Sequence, residues 1–289
     1  MAYTKEEFKQ LVDDIQSQSW YKNPIGFGIA KVDRGQINKD KILQATFPLI
    51  NWNENFGSAA VLLNALKVAG VDVDTSKSEL VCKISDEFLT SCIEAFRPFI
   101  PEAKGDAHKN VQVISTLASL PIDSGLSAED YRVVFIFDDV APESTEAVYL
   151  KLYALSTGKA ALRSLNLTGA FGKLHNCAWV GNQPIELDWL RANEIVLKLS
   201  GKYPNIDMVD KFPRFLQHII PADNTRILET SKVRMGAQLA AGTTVMPGAA
   251  YVNFNAGTLG AVMVEGRISS SAVVGAGSDV GGGASILGV

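Results

Sequence analysis

The sequence predicts a two-part chain: a mixed α/β domain over residues 1–222, then a parallel β-helix of hexapeptide repeats over residues 223–289. Three observations predict it. From Ile227 an aliphatic residue returns every sixth position, through Val233, Leu239, Val245 and Tyr251, and after a one-residue slip through Val262, Ile268, Val274, Val280 and Ile286. Glycine follows three positions after many of these (Gly236, Gly242, Gly248, Gly277, Gly283), with a small residue such as Ala237, Thr243, Ala249, Ser278 or Ala284 next. Ahead of Pro221 the apolar spacing is that of helices and strands instead. A period of six suits neither a helix, at about 3.6 residues per turn, nor an isolated strand. It suits a prism in which six residues supply one short strand and one corner, the aliphatic side chain filling the interior and glycine permitting corner dihedrals that a Cβ forbids.

In the first part, Thr4 followed by Glu6 and Glu7 opens a helix with Phe8, Leu11, Val12 and Ile15 on one face. IGFGIAKVD reads as a strand, residues 55–69 and 85–98 as helices, and LVCKI between them as a strand. VQVIS at 111–115 and YRVVFIFDD at 131–139 read as strands, the second apolar enough to be buried. Residues 143–155 and 187–199 read as helices. No low-complexity linker precedes the repeats, so a packed junction is expected.

A hydrophobic content of 47% with 20% charged residues fits a globular chain with a substantial core. The net charge of −4, without runs of like charge, gives no footprint for nucleic acid. Cys82, Cys92 and Cys177 are widely spaced and form no CxxC, which predicts reduced, mostly buried thiols. The charged, amphipathic N-terminus is unlike a signal peptide, and no stretch reaches the roughly 18 apolar residues of a membrane span, so a cytoplasmic protein is expected. The repeats stop in mid-hexapeptide at Ile286-Leu287-Gly288-Val289, after about three and a half coils. A solenoid end needs a cap. The sequence is therefore expected to be a C-terminally truncated piece of a longer protein, or to have its end covered by a partner subunit.

Few ionisable groups occupy the repeats: Glu229, Glu265 and Asp279, with Lys232, Arg234 and Arg267. His108, His175 and His218 all precede them, and none has a carboxylate or Cys at triad or ligand spacing, so all three read as structural. Hexapeptide β-helices host zinc-dependent hydration and acyl transfer from coenzyme A. The absence of histidine from the corners argues against the zinc chemistry, and any proton or nucleophile work in the coils falls to a carboxylate. Glu265 stands at a corner position where other hexapeptides carry Gly, followed by Gly266 and Arg267. It can serve as a general base or attack a thioester, with Arg267 binding a carboxylate or phosphate. The alternative is an exposed Glu265–Arg267 ion pair on the solenoid wall. Asp279 reads as a corner cap, and Glu229 with Lys232 as a solvated face. Asn253 and Asn255 either stack as an internal ladder or face a ligand. VGGGAS exposes bare backbone N–H groups that suit a pantetheine arm or phosphates, or is an ordinary glycine corner.

The strings VNFNAGTLG, MVEGRIS and GSDVGGGASI lie within about 55 residues that closely resemble the tetrahydrodipicolinate N-succinyltransferase family, in its branch with a long N-terminal α/β domain. The resemblance implies a left-handed β-helix, a homotrimer, and active sites in clefts between neighbouring coils. It implies a reaction in lysine and diaminopimelate biosynthesis: succinyl-CoA donates its succinyl group to tetrahydrodipicolinate, giving N-succinyl-2-amino-6-oxopimelate and coenzyme A. Glu265 falls on the family's catalytic glutamate, and Arg267, Gly282 and Ser285 on residues that contact succinyl-CoA. Some relatives bind magnesium through acidic residues at positions that are Lys232 and Ala249 here, so no metal is expected. Two rivals remain at this stage: a related acyltransferase using acetyl-CoA, and a non-catalytic trimeric assembly or regulatory protein on the same scaffold.

Overall fold

The computed structural model describes residues 4–120 and 128–288. They form two compact units, one of residues 1–32 and 46–140, the other of residues 33–45 and 141–289.

The first unit is a helical layer on an antiparallel sheet. Helix α1 (Lys5–Gln16) starts at a capping box, where Thr4 Oγ1 accepts from the Glu7 N–H and the Glu7 carboxylate accepts from the Thr4 N–H, both at 3.1 Å. Strand β1 (Gly26–Arg34, of which residues up to Val32 belong here) follows; β2 (Ile42–Thr46) lies mostly in the second unit. Then come β3 (Ile50–Trp52), α2 (Phe56–Val68), β4 (Glu79–Lys83), α3 (Asp86–Phe96), α4 (Lys109–Ser119) and β5 (Tyr131–Ile136). β1 pairs antiparallel with β3 and β5, and β5 antiparallel with β4. Alternate residues Phe27, Ile29, Val133 and Phe135 enter a core shared with Val12, Ile15, Leu62, Leu66, Phe88 and Phe96 of the helices.

The expected strand at 111–115 is helix α4. Val111 and Ile114, three apart, are the side chains it buries, whereas a strand would have aligned Val111 with Val113. Packing of one helical face on α3 and into the shared core outweighs the preference of β-branched residues for strands.

In the second unit, helix α5 (Thr145–Ser156) is capped by Ser144, which accepts from the Ala147 N–H at 3.1 Å, and all 12 of its residues are buried. Its Lys151, 1% exposed, donates to the Asn166 carbonyl at 2.8 Å. A short helix α6 (Ala170–Lys173) precedes β6 (Cys177–Val180), β7 (Gln183–Glu186), helix α7 (Leu187–Leu199) and β8 (Met208–Asp210). β6 is the centre of the antiparallel sheet β7-β6-β8, and its fully buried Trp179 donates Nε1–H to the Asp210 carbonyl at 2.9 Å.

The repeats fold as a parallel β-helix of about four turns. One face stacks β9 (Arg226–Ile227), β10 (Thr244–Val245), β13 (Met263–Val264) and β16 (Asp279–Val280); a second stacks β11 (Tyr251–Val252), β14 (Arg267–Ile268) and β17 (Ser285–Ile286); a third stacks β12 (Gly257–Thr258) and β15 (Val273–Val274). Within this unit the first coils are tied to the α/β part. The Gly236 N–H donates to Ser156 Oγ at 2.8 Å, Phe254 stacks on Phe212 with ring centroids 4.7 Å apart, and the Arg163 N–H donates to Asn255 Oδ1 at 2.9 Å.

The three thiols are free, as expected. Burial pushes Cys82 and Cys177 up to about 11 and Cys92 higher still, so none is a ready thiolate at neutral pH.

Candidate active site

The interior ladder departs from the sequence reading at two positions. Val252, not Tyr251, is the buried residue that stacks on Ile268, and Val264, not Val262, pairs with Val245 and Val280. Thr258 fills the place between Val252 and Val264, its hydroxyl 2.7 Å from that of Thr243 inside the prism. All of the irregularity lies at the corner joining the first face to the second. Five residues, 228–232, separate Ile227 from Val233, but six, 246–251, separate Val245 from Val252. Only Glu265, Gly266 and Arg267 separate Val264 from Ile268, and five residues, 281–285, again separate Val280 from Ile286. One residue gained and two lost produce the net slip of one.

The four predicted site residues gather at this corner. Glu265 is exposed and lies against the next coil, where a Cβ built on Gly282 would be 3.7 Å from its Oε2. Its own N–H and that of Gly266 both donate to the Val280 carbonyl, at 2.8 and 2.9 Å. Arg267 does not pair with Glu265; its Nη2 donates to Ser285 Oγ at 3.1 Å, so the guanidinium is held over the following coil. The corner thus offers a carboxylate, a guanidinium, a hydroxyl and the exposed backbone of Gly281, Gly282 and Gly283. This set can accept a proton and hold an anionic, extended ligand by charge-assisted and backbone hydrogen bonds.

The other candidates have structural partners. Arg234 donates to Asn253 Oδ1 at 3.2 Å, and Asn255 donates to Ser271 Oγ at 3.3 Å, so both asparagines tie coils together. Asp279 lies on strand β16 with its backbone paired to Met263, where the sequence reading had a corner cap. Lys232 donates to the Gly248 carbonyl at 2.6 Å and is 3.7 Å from Glu229. Among the described residues no three His, Cys, Asp or Glu side chains group as metal ligands. A cavity of about 490 Å³ in the first unit, lined by Ile29, Leu49, Val113 and Tyr131 with Lys31 and Lys109, contains none of the four site residues.

His218 belongs to a network that sequence spacing does not reveal, because its partners are 65 and 174 residues away. Its Nδ1 is 2.7 Å from the Tyr153 hydroxyl and its Nε2 is 2.9 Å from Gln44 Oε1, while Gln44 Nε2 donates to Asp33 at 2.7 Å. Because Gln44 Oε1 only accepts, the ring donates from Nε2 and accepts from Tyr153, a neutral tautomer with both nitrogens used. Burial pushes this imidazole down to about 3. The unfolded chain takes up the proton near 6.5 and the folded chain does not, so this contribution to stability is complete above 6.5 and declines as the pH falls towards 3. We expect folding stability to fall by about 2 kcal/mol between pH 6.5 and pH 5 on this account. His218→Asn should remove that part of the slope in urea unfolding, and an unchanged slope would assign it to other groups.

The chain is similar to one family along nearly its whole length. Residues 6–172 match the family model described as tetrahydrodipicolinate N-succinyltransferase N-terminal, and residues 174–214 the one described as its middle region. A 2,3,4,5-tetrahydropyridine-2,6-dicarboxylate N-succinyltransferase of Sulfurovum sp. is 68% identical over 284 residues, covering 98% of this chain and 70% of that protein. One of the same description from Campylobacter jejuni is 58% identical, covering 100% of this chain and 73% of that protein. A C. jejuni crystal structure assigned as a 2,3,4,5-tetrahydropyridine-2-carboxylate N-succinyltransferase superposes with a TM-score of 0.94 at 58% identity, covering 100% of this chain and 74% of that one.

Proposed function

The chain belongs to the tetrahydrodipicolinate N-succinyltransferase family, and from that premise we propose that it transfers the succinyl group of succinyl-CoA to tetrahydrodipicolinate. The products are N-succinyl-2-amino-6-oxopimelate and free coenzyme A. The observation that carries this reading is identity of 68% across 98% of the chain, with the parallel β-helix of the coils beside it.

The chemistry fits the groups at the short corner. One water opens the cyclic imine to the 6-oxo product, and the nitrogen attacks the thioester carbonyl carbon. A C–N bond forms, the C–S bond breaks, and the sulfur leaves as thiolate to take up a proton. We assign Glu265 to remove the proton that the nitrogen loses, or to carry the succinyl group as a mixed anhydride before the nitrogen attacks. Arg267, Gly282 and Ser285 are assigned to succinyl-CoA. The acceptor is a dianion, which favours a cation such as Arg267 near it. We further read the protein as a cytoplasmic homotrimer that needs no metal; light scattering that gave the mass of one or two chains would remove the trimer.

The test is thiol release with tetrahydrodipicolinate present and either succinyl-CoA or acetyl-CoA as donor. Turnover with succinyl-CoA and little with acetyl-CoA is expected. Preference for acetyl-CoA would change the donor, and binding of succinyl-CoA in a calorimeter without product would favour a non-catalytic scaffold. Arg267→Lys should raise the KM for succinyl-CoA or the acceptor with kcat largely kept, because an ammonium lacks the planar fork. Unchanged KM values for both would end that assignment.

A further inference from the structure

The corner that carries Glu265 differs from its neighbours in length. With three residues where the corner above has six and the corner below has five, the chain between Val264 and Ile268 cannot arch outward as the others do. It cuts across the prism edge and leaves a notch flanked by residues 246–251 and 281–285. The two N–H groups at its start share the Val280 carbonyl, the Arg267 N–H donates to the Ala284 carbonyl at 2.9 Å, and the Gly266 carbonyl accepts from Tyr251 at 3.2 Å. The notch floor is therefore fastened to the coil on either side.

Gly266 is the closure point. A Cβ there would lie 2.6 Å from both the Gly281 and the Ala284 carbonyl oxygens and 3.1 Å from Val280 Cγ1, contacts that backbone cannot relieve without moving the next coil. Resting on the assignment of Glu265 as the catalytic carboxylate, we propose that Gly266 is a positioning residue for the acyl transfer. By allowing the three-residue corner, it holds the exposed Glu265 carboxylate back beside Gly282 instead of farther out on a longer arch. A carboxylate on a five-residue corner would start farther out and keep more rotamer freedom, both of which misplace it with respect to the thioester.

A residue that acts through Glu265 has no further effect once Glu265 is gone, whereas a residue needed only for the fold costs the same in either background. Thiol release is measured for Gly266→Ala, Glu265→Gln and the double variant. Gly266→Ala should lower kcat about 100-fold with Glu265 present, as expected for a displacement near 1 Å, and change the residual rate of Glu265→Gln less than about 2-fold. Equal losses in the two backgrounds, or a folded Gly266→Ala protein at the parental rate, overturn the positioning role. If Gly266→Ala does not fold, insertion of Gly-Ala between Val264 and Glu265 restores a five-residue corner and is read in the same cycle. A parental rate for Glu265→Gln would instead overturn the catalytic assignment.

Discussion

Glu265→Gln is expected to lower kcat by at least about 100-fold and up to about 10⁴-fold while the β-helix stays folded. The substitution keeps the size and the exposed corner position of the side chain, and its backbone N–H remains available to Val280. It removes the one property that both assigned roles require, a carboxylate oxygen able to bind a proton or form a bond to the acyl carbon. Nothing else in coils 227–289 can replace it: there are no histidines, Asp279 projects from a strand, and Glu229 is paired with Ser231 and Lys232 in the first coil. The measurement is initial-rate thiol release with circular dichroism and a molar mass on the same sample. A folded variant of native mass that turns over at the parental rate would refute the assignment.

Asp210→Ala is expected to cost about 3 kcal/mol of folding stability, the lower end of the range for breaking a buried ion pair. Asp210 ends strand β8 with a side chain only 11% exposed, and two arginines converge on it. Arg234 of the first coil binds it through Nε and Nη2, each at 3.1 Å, while Arg214 Nη1 is 3.3 Å away. Arg234 also lies 5.2 Å from the Phe212 ring, so the guanidinium is fixed on two sides. Without the carboxylate two poorly hydrated cations face each other, and the start of the β-helix loses its anchor to β8. A lower urea midpoint in the variant checks this, and Asp210→Asn should fall between the two because its amide oxygen still accepts. A midpoint within error of the parent would show that water replaces the carboxylate.

Much of the site was legible because hexapeptide structure is local. Val233, Val245, Ile268, Val274 and Val280 point inward as the period requires, and Glu265 and Arg267 stand out as charges in a run that has few others. The motifs that carried the resemblance lie after residue 234, whereas the family models match residues 6–172 and 174–214, so the two lines cover different parts of the chain. Legibility failed where the answer depended on the neighbouring coil. Val262 and Val264 are the same residue type two apart, and both are buried, so composition could not choose between them. Thr258 holds a ladder place without being aliphatic. A signal existed in the spacing of four between Val264 and Ile268, but it is visible only once the ladder is known.

The sequence by itself determined that the last 60 or so residues wind as a stacked prism and that Glu265 stands at one of its corners, and its motifs resemble the family to which the chain belongs. The prism follows from a repeat short enough for each residue's neighbours to fix its role, whereas the family is carried by the motifs VNFNAGTLG, MVEGRIS and GSDVGGGASI. Tertiary structure alone decided that residues 109–119 are helical, that His218 is neutral between Tyr153 and Gln44, and that an added residue in one coil and two missing in the next cancel to a slip of one. Those depend on which segments, distant in sequence, compete for the same buried space, and a linear pattern carries no record of that competition.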